Sequence, residues 1–345
     1  MTAKEFAEII GVSRVTLSKV LNNKGGVAPE TVEKIRRYIE EYHFEPNSQA
    51  RSLVGKKDKI IGLFSAFKSE FGDGAHIPTD FPSQMISLIT SEAQEHGYKS
   101  LVSIVRSSDD LVSVEKLLNS DVVRGAILMG FETGDYVTKN WSRSGYPMVL
   151  INQEDSITSN NVSLVNQSDE AGAYRAIELL AENGHKRICF LGSSLNRLTA
   201  HRRQRGALRA LEQYKDVFEK VWHVDADYEE EQAYNTVLRI YTEETQYPTA
   251  IFATNDVMAL GAMRALEELG YQIPEQVSVI GFDNIPLSGY MRPSLTTFDA
   301  NFVEIAKKSV KILIDNIEGR NSACHEELEA RFVERETLKE INMDV

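Results

Sequence analysis

The residues best placed for chemistry in this chain are the polar ones that follow short aliphatic runs. They are Ser65 after Ile60-Ile61-Gly62-Leu63-Phe64, Asn152 after Met148-Val149-Leu150-Ile151, Ser193 and Ser194 after Ile188-Cys189-Phe190-Leu191, Asn255 and Asp256 after Ala250-Ile251-Phe252-Ala253, and Asp283 after Val277-Ser278-Val279-Ile280-Gly281-Phe282. Carboxamides and carboxylates offer paired acceptors and donors to the hydroxyls of a sugar. One such residue after a strand is more often a turn former or a helix cap. Several together point to a ligand site. Asp256 and Asp283 also invite reading as a carboxylate pair for acid–base work, but no nucleophile accompanies them. The chain has no G-x-G-x-x-G, P-loop, G-x-S-x-G or H-E-x-x-H motif, and its seven histidines form no spaced cluster. It is therefore read as a non-enzyme. Cys189 and Cys324 have neither metal-ligand nor disulfide spacing, so two reduced thiols, no metal and no cofactor are expected.

A second group lies near the start. Ser13, Arg14, Val15, Ser18 and Lys19 fall on the outward side of one short helical stretch. Long donors beside an apolar group suit the base edges of a major groove, where guanine offers acceptors and thymine a methyl.

The elements that position these groups follow from periodicity. Phe6, Ile9 and Ile10 line a first helix that Gly11 ends; Ser13 suits the N-cap of a second, whose buried stripe is Val12, Val15 or Thr16, Val20 and Leu21. A third helix opens with Pro29 and repeats apolar residues at Val32, Ile35, Ile39 and Tyr42, while Ala28 is a poor cap before it. That is a helix-turn-helix with a third helix completing a small core. After residue 58 aliphatic runs alternate with amphipathic helices, in two series, which predicts two parallel sheets with helices on both faces and a cleft between two lobes. Ligands of such sheets sit beyond the carboxyl ends of the strands.

The net charge of −13 is uneven. Residues 1–57 hold ten Lys/Arg against seven Glu, a surplus of +3, which leaves −16 for the remainder. An acidic body is repelled by phosphates, so nucleic acid must meet the N-terminal end. With 42% hydrophobic and 26% charged residues, no run of about eighteen apolar residues and no leader-like start, the 345-residue chain is expected to be a cytoplasmic protein with no membrane partner.

Between the two parts lies Glu45-Pro46-Asn47-Ser48-Gln49-Ala50-Arg51-Ser52-Leu53-Val54-Gly55-Lys56-Lys57, too short and polar for either core. With this hinge between its two parts the chain resembles the lactose-repressor (LacI/GalR) family. The resemblance rests on Ala7-Glu8-Ile9-Ile10-Gly11-Val12-Ser13-Arg14-Val15-Thr16-Leu17-Ser18-Lys19-Val20-Leu21-Asn22 and Pro46-Asn47-Ser48-Gln49-Ala50-Arg51-Ser52-Leu53. It extends over the body through Pro82-Ser83-Gln84-Met85, Thr199-Ala200-His201-Arg202-Arg203-Gln204-Arg205-Gly206, Thr254-Asn255-Asp256-Val257-Met258-Ala259-Leu260-Gly261-Ala262 and Val279-Ile280-Gly281-Phe282-Asp283-Asn284.

The resemblance implies an all-α helix-turn-helix head joined by a hinge to an α/β bilobed, periplasmic-binding-protein-like body of two parallel-sheet sandwiches. The expected divisions are a head over 1–46, a hinge helix over 47–57 and a body over 58–345. Within the body the N-lobe is expected at about 58–160 plus 302–329 and the C-lobe at about 161–299 plus 330–345. It implies a repressor whose Ser13, Arg14, Val15, Thr16, Ser18, Lys19 and Asn22, with Asn47, Ala50 and Leu53 of the hinge, meet a near-palindromic operator as a homodimer. Arg14 and Val15 occupy the positions that discriminate among operators, and Leu53 the wedge in the minor groove. Lys19 departs from the arginine usual there, so it offers no planar fork to guanine.

In the body the resemblance places the effector against Ser65, Asn152, Arg203, Asn255 and Asp283, with aromatic Tyr228 and Phe302 and an apolar wall of Phe81, Pro82 and Met85. Asn152 stands where the family commonly has aspartate and Ala300 where it often has glutamine. The 70–81 segment is longer than usual and is read as a pocket wall, a lid or a plain loop. The implied function is control of a carbohydrate-utilisation operon by a small sugar, and Pro82-Ser83-Gln84-Met85 favours galactose or a galactoside. A purine or sugar-phosphate effector is the alternative within the family. A transport solute-binding protein shares such a body, but calls for a signal peptide and no helix-turn-helix. The tail after Leu338 is too short for a leucine-rich tetramerisation helix, so a dimer is expected.

Overall fold

A computed structural model describes residues 2–21, 25–42, 44, 58–66, 81–106, 108–120, 122–131, 145–154, 159–194 and 197–341. Asn22, the hinge residues Asn47, Ala50 and Leu53, most of the 70–81 segment and the Phe81 side chain lie outside them. Two compact units divide the chain at residues 59 and 60.

The first unit holds α1 (Ala3–Ile9), α2 (Arg14–Leu21) and α3 (Pro29–Glu41). Thr2 and Glu5 start α1 with a reciprocal cap. Glu5 N–H donates to Thr2 Oγ1 at 3.2 Å and Thr2 N–H to Glu5 Oε2 at 2.8 Å, satisfying donors the helix leaves open. Gly11 turns the chain at φ 68°, and Thr16 N–H donates to Ser13 Oγ at 3.0 Å, so Ser13 caps α2 as its spacing predicts. Ala28 makes no side-chain cap, and Pro29 occupies the first position of α3. The buried stripe of α2 differs from expectation. Leu17 (1% exposed) and Val20 face the core, whereas Val15 is 66% exposed. With the helix starting at Arg14, a 3.6-residue period sets 17, 20 and 21 on one side and turns 15 away. Phe6, Leu17, Ile35 and Phe44 centre this core, and the Phe6 and Phe44 rings stack at 3.9 Å.

The second unit is built from two parallel sheets. One contains β1 (Ile60–Ala66), β2 (Lys99–Val105), β3 (Ala126–Met129), β4 (Met148–Ile151), β5 (Val162–Gln167) and β11 (His325–Leu328), in the order β11-β5-β4-β3-β1-β2. The other contains β6 (Arg187–Gly192), β7 (Lys220–Asp225), β8 (Ala250–Ala253) and β9 (Ser278–Ile280), in the order β7-β6-β8-β9. All pairs within both sheets are parallel. The helices around them are α4 (Phe81–Glu95), α5 (Ser108–Asn119), α6 (Asp169–Glu182), α7 (Leu198–Gln213), α8 (Glu230–Glu243), α9 (Asp256–Glu268), α10 (Pro286–Tyr290) and α11 (Phe302–Ile317). A short antiparallel pair joins β10 (Thr297–Asp299) to β12 (Arg331–Val333).

The lobe boundary moves. The strand β5 sits inside the first sheet, so that sheet runs on through Gln167 instead of ending near 160, and the other lobe's secondary structure starts with α6. The run Val162-Ser163-Leu164-Val165-Asn166-Gln167 interleaves polar residues and does not read as a buried strand, yet all six are buried. Internal bonds make that possible: Asn316 Nδ2 and the Cys324 N–H each donate to Ser163 Oγ at 3.1 Å. Among the described residues no helix is long and apolar enough to cross a membrane.

The helices α6 and α7 approach so closely that a Cβ on Gly206 would stand 2.0 Å from the Glu170 carbonyl oxygen. Alanine in an open helix stabilises relative to glycine; here it forces the two helices apart. Gly206→Ala is expected to lower the unfolding free energy by about 1–3 kcal/mol in urea denaturation, and a gain in stability would show that the helices do not touch as described.

Candidate functional site

Parallel strands bring their carboxyl ends to the region between the lobes, and there a cleft opens. Pro82, Asn152, Arg203, Tyr228, Asn255 and Asp283 line it, six of the residues expected at an effector site. Gly130, Phe131, Ile151, Gln167, Arg197, Leu198 and Thr199 complete the wall, and the sequence reading missed them. Phe131 stands two residues past the end of β3 and Gln167 is the last residue of β5; the rule that found Asn152 looks for polar residues and so passes over Phe131. It could not reach Gln167 without β5.

The Arg203 side chain is 4% exposed and engaged on every edge of its fork. Nε donates to Asp169 Oδ1 at 2.7 Å, one terminal nitrogen to the Thr254 carbonyl at 2.5 Å and the other to Asp283 Oδ1 at 2.8 Å. Its guanidinium carbon lies 3.9 Å from the centre of the Phe282 ring. Asp169 is also held by Gln167, whose Nε2 donates to Oδ1 at 2.6 Å. Burial pushes the Asp169 carboxyl above its ordinary value against the pull of Arg203. It pushes Asp283 up to about 7 in the same way, with the neighbouring Asp256 charge adding to it. Asp283 takes a left-handed backbone, φ 116°, which aims its carboxyl into the cleft. Asp227 and Tyr228 do likewise at φ 46° and 66°, delivering the Tyr228 ring.

Asn255 has both of the roles its position allows. Its Oδ1 accepts from Met258 N–H at 2.8 Å, capping α9, while the residue also borders the cleft. The carboxamide oxygens of Asn152 and Gln167 are buried there without a hydrogen-bond partner among the described residues. Asp256 is fully buried and structural. Ser288 and Thr297 hydroxyls each donate to it at 2.5 Å and the Ile285 N–H at 2.9 Å, and burial lifts its carboxyl to about 6. Ser193 and Ser194 donate to Asp227 at 3.3 and 3.0 Å, fastening the end of β6 to the turn that carries Tyr228.

Three expected residues are not brought to the cleft. Ser65 is fully buried at the end of β1, Met85 is fully buried in the core, and Phe302 packs into the same core and borders a separate groove beside Ser83 and Asn301. Pro82 and Met85 are one turn apart and share a side of α4; Pro82, in the first turn, borders the cleft, while Met85, a turn deeper, is covered by the core. Among the described residues no cluster of metal-ligating side chains occurs.

In the first unit Ser13, Arg14 and Val15 are exposed, and Thr16, Ser18 and Lys19 half-buried. The Ser13 and Thr16 hydroxyls are 2.8 Å apart and bonded to each other, so Arg14 and Val15 present the more open side chains of α2.

Residues 2–47 match the family of bacterial regulatory proteins, lacI family, and residues 177–338 match the periplasmic binding protein-like domain. The chain is 31% identical over 350 aligned positions to the HTH-type transcriptional repressor PurR of Haemophilus influenzae strain PittEE, covering 99% of both chains. It is 28% identical to PurR of Mannheimia succiniciproducens, again covering 99% of each. Among solved structures it resembles the Lac repressor dimer bound to operator and the anti-inducer ONPF, with TM-score 0.84, 27% identity and 98% of each chain covered. The Lac repressor bound to ONPG in its repressed state is similar at TM-score 0.83 and 28% identity, covering 98% of this chain and 99% of that one.

Replacing Arg203 by methionine leaves two buried carboxylates without their cation. The Arg203→Met protein is expected to lose about 3–5 kcal/mol of unfolding free energy near pH 7.5. The sign with pH follows from the raised carboxyls. They bind protons in the folded state that the unfolded chain has already released, so the variant regains stability as pH falls and its deficit shrinks by pH 5.5. Urea denaturation at both values checks this, and a deficit that grows on acidification would contradict it.

Proposed function

The chain belongs to the lacI family of bacterial regulatory proteins and is a DNA-binding transcriptional repressor, and from that premise we propose that its body senses a small neutral sugar, a galactoside foremost. The observation that carries this reading is the state of Arg203. An arginine that receives a phosphate or carboxylate ligand presents a free fork. Here Asp169 and Asp283 enclose it, and the group as a whole carries no excess positive charge. Sugar phosphates are disfavoured on that ground. The unpartnered Asn152 and Gln167 oxygens call for donors, which hydroxyls supply, and Asp283 adds an acceptor. Tyr228, Phe131 and Leu198 offer the apolar cover that one face of a pyranose wants. Likeness to a Lac repressor bound to ONPG favours a galactoside.

A purine base is the second reading. The relatives named PurR favour it.

In the proposed mechanism two chains present two heads to a near-palindromic site, with Leu53 of each hinge entering the minor groove. The effector binds one arrangement of the lobes better than the other and thereby lowers operator affinity; operator must reciprocally weaken effector binding.

A thermal-shift panel of galactose, methyl β-galactoside, galactose 6-phosphate, hypoxanthine and guanine tests the ligand. A ligand at about a hundred times its Kd raises stability by about 2.7 kcal/mol. Stabilisation by the neutral sugars alone is expected; stabilisation by the nucleobases alone moves the effector to the purine reading, and by the phosphate ester refutes the charge argument. For DNA, fluorescence anisotropy against promoter fragments should show affinity falling steeply with salt. Arg14→Ala should cost about 1–3 kcal/mol and relax preference at one base step; uniform weakening across sequences would reduce Arg14 to a phosphate contact.

A further inference from the structure

Three strand ends meet at the N-lobe wall of the cleft, and two buried carboxamides outside the cleft tie them together. The ladder between β4 and β5 ends at Ile151 opposite Val165. Asn152 then turns left-handed at φ 55°, its N–H still donating to the Val165 carbonyl at 3.2 Å. Past that turn the Asn166 side chain replaces the backbone partner. Its Oδ1 accepts from Gln153 N–H at 3.0 Å and its Nδ2 donates to the Gln153 carbonyl at 2.9 Å. A primary carboxamide carries the donor and acceptor of a peptide group, so Asn166 forms one more rung of the ladder. The Gln153 side chain reaches the other way, and Nε2 donates to the Phe131 carbonyl at 2.8 Å, beyond the end of β3.

Gln153 is 2% and Asn166 4% exposed, and neither borders the cleft. Their sequence neighbours Asn152 and Gln167 do, and so does Phe131. In β5 alternation sends Gln167 to the cleft and Asn166 away from it; past the end of β4 the left-handed turn at Asn152 makes the same division between Asn152 and Gln153. Asn166 spends both ends of its carboxamide on Gln153, and Gln153 spends its Nε2 on Phe131 while its Oε1 is buried without a partner among the described residues; apolar residues would fill this interior more simply.

We propose that Gln153 and Asn166 are positioning residues for ligand selectivity, fixing Phe131, Asn152 and Gln167 in the geometry that decides which hydroxyls are accepted. The proposal rests on the reading of the cleft as the effector site. Hydrogen bonds weaken steeply with misdirection, so a small shift of the Asn152 or Gln167 carboxamide changes which ligand epimer is preferred.

The test compares the full chain with Gln153→Met, Asn166→Ala, Asn166→Asp and a control, Thr337→Val. Thr337 lies away from the cleft, fully buried, and its hydroxyl bonds to Thr296 N–H and the Val279 carbonyl. Calorimetric titration with galactose, glucose and hypoxanthine gives affinity and selectivity, and hydrogen exchange reads the amides of Asn152 and Gln153. Gln153→Met and Asn166→Ala are expected to raise the Kd of whichever probe binds by about tenfold, the equivalent of one net hydrogen bond. They should flatten the galactose-to-glucose ratio and speed exchange at the strand ends. Asn166→Asp keeps the acceptor for Gln153 N–H but sets a carboxylate oxygen against the Gln153 carbonyl, so it should lose less than Asn166→Ala only at low pH, where protonation restores the donor. Thr337→Val should lower the melting temperature with Kd and ratio unchanged. Equal changes in control and variants reduce the pair to ordinary core residues and overturn the proposal. If the wild type binds none of the probes, the effector reading fails, and exchange alone then decides: acceleration confined to the strand ends supports the lock, and its absence overturns it.

Discussion

The body's cleft depends on one buried cation. Arg203 links the start of α6 through Asp169, the end of β8 through the Thr254 carbonyl and the end of β9 through Asp283. Withdrawing a guanidinium and two carboxylates from water is costly, and the cost is offset only when all three partners are in place. The interaction therefore acts less as a source of stability than as a condition on geometry. The segments that bear these groups have to arrive together or the cation is stranded. Gly206 serves this by letting α7 lie against the Glu170 carbonyl, one residue from Asp169.

The same interaction shapes the chemistry of the cleft. Because Arg203 is consumed by its neighbours, the polar surface left over is acceptor-rich: carboxamide oxygens from Asn152 and Gln167 on one lobe, the Asp283 carboxyl on the other. Burial holds the Asp283 carboxyl near neutrality, so it can either accept or donate to a ligand hydroxyl. A charge-neutral, hydroxyl-rich ligand meets these demands without adding an unpaired charge to a desolvated site.

The division of charge separates the work of the two units. Residues 1–57 carry the surplus of cations, which comes from Arg51, Lys56 and Lys57 beyond the three helices, while the acidic body gains nothing from phosphate and is kept from non-specific contact with it. Arg14 and Val15 project from α2 because the helix period turns Leu17 and Val20 into the core and leaves 14 and 15 outside. A small core around Phe6 and Phe44 is enough to hold that presentation.

What the sequence determined by itself was the order of parts and much of the site. Periodicity located three helices in the head, the cap at Ser13 and the turn at Gly11, because these are local matters of backbone and spacing. Aliphatic runs located β1, β3, β4, β6, β8 and β9, and the polar residues after them included Asn152, Asn255 and Asp283. Arg203, Tyr228 and Pro82 came from family motifs. Tertiary structure alone decided the rest. The strand β5 is polar at Ser163, Asn166 and Gln167 without a regular alternation and is recognisable only through the bonds that satisfy Ser163 and Asn166 in the interior, so Gln167 stayed hidden with it. Asp169 gains its role from Arg203, 34 residues away, a pairing no local pattern records. Ser65, Met85 and Phe302 share residue types and motifs with cleft residues, yet the packing of neighbouring elements covers them in the core. Residue type and spacing decide what an element is; which of its faces meets the cleft is settled by packing against elements distant in the chain.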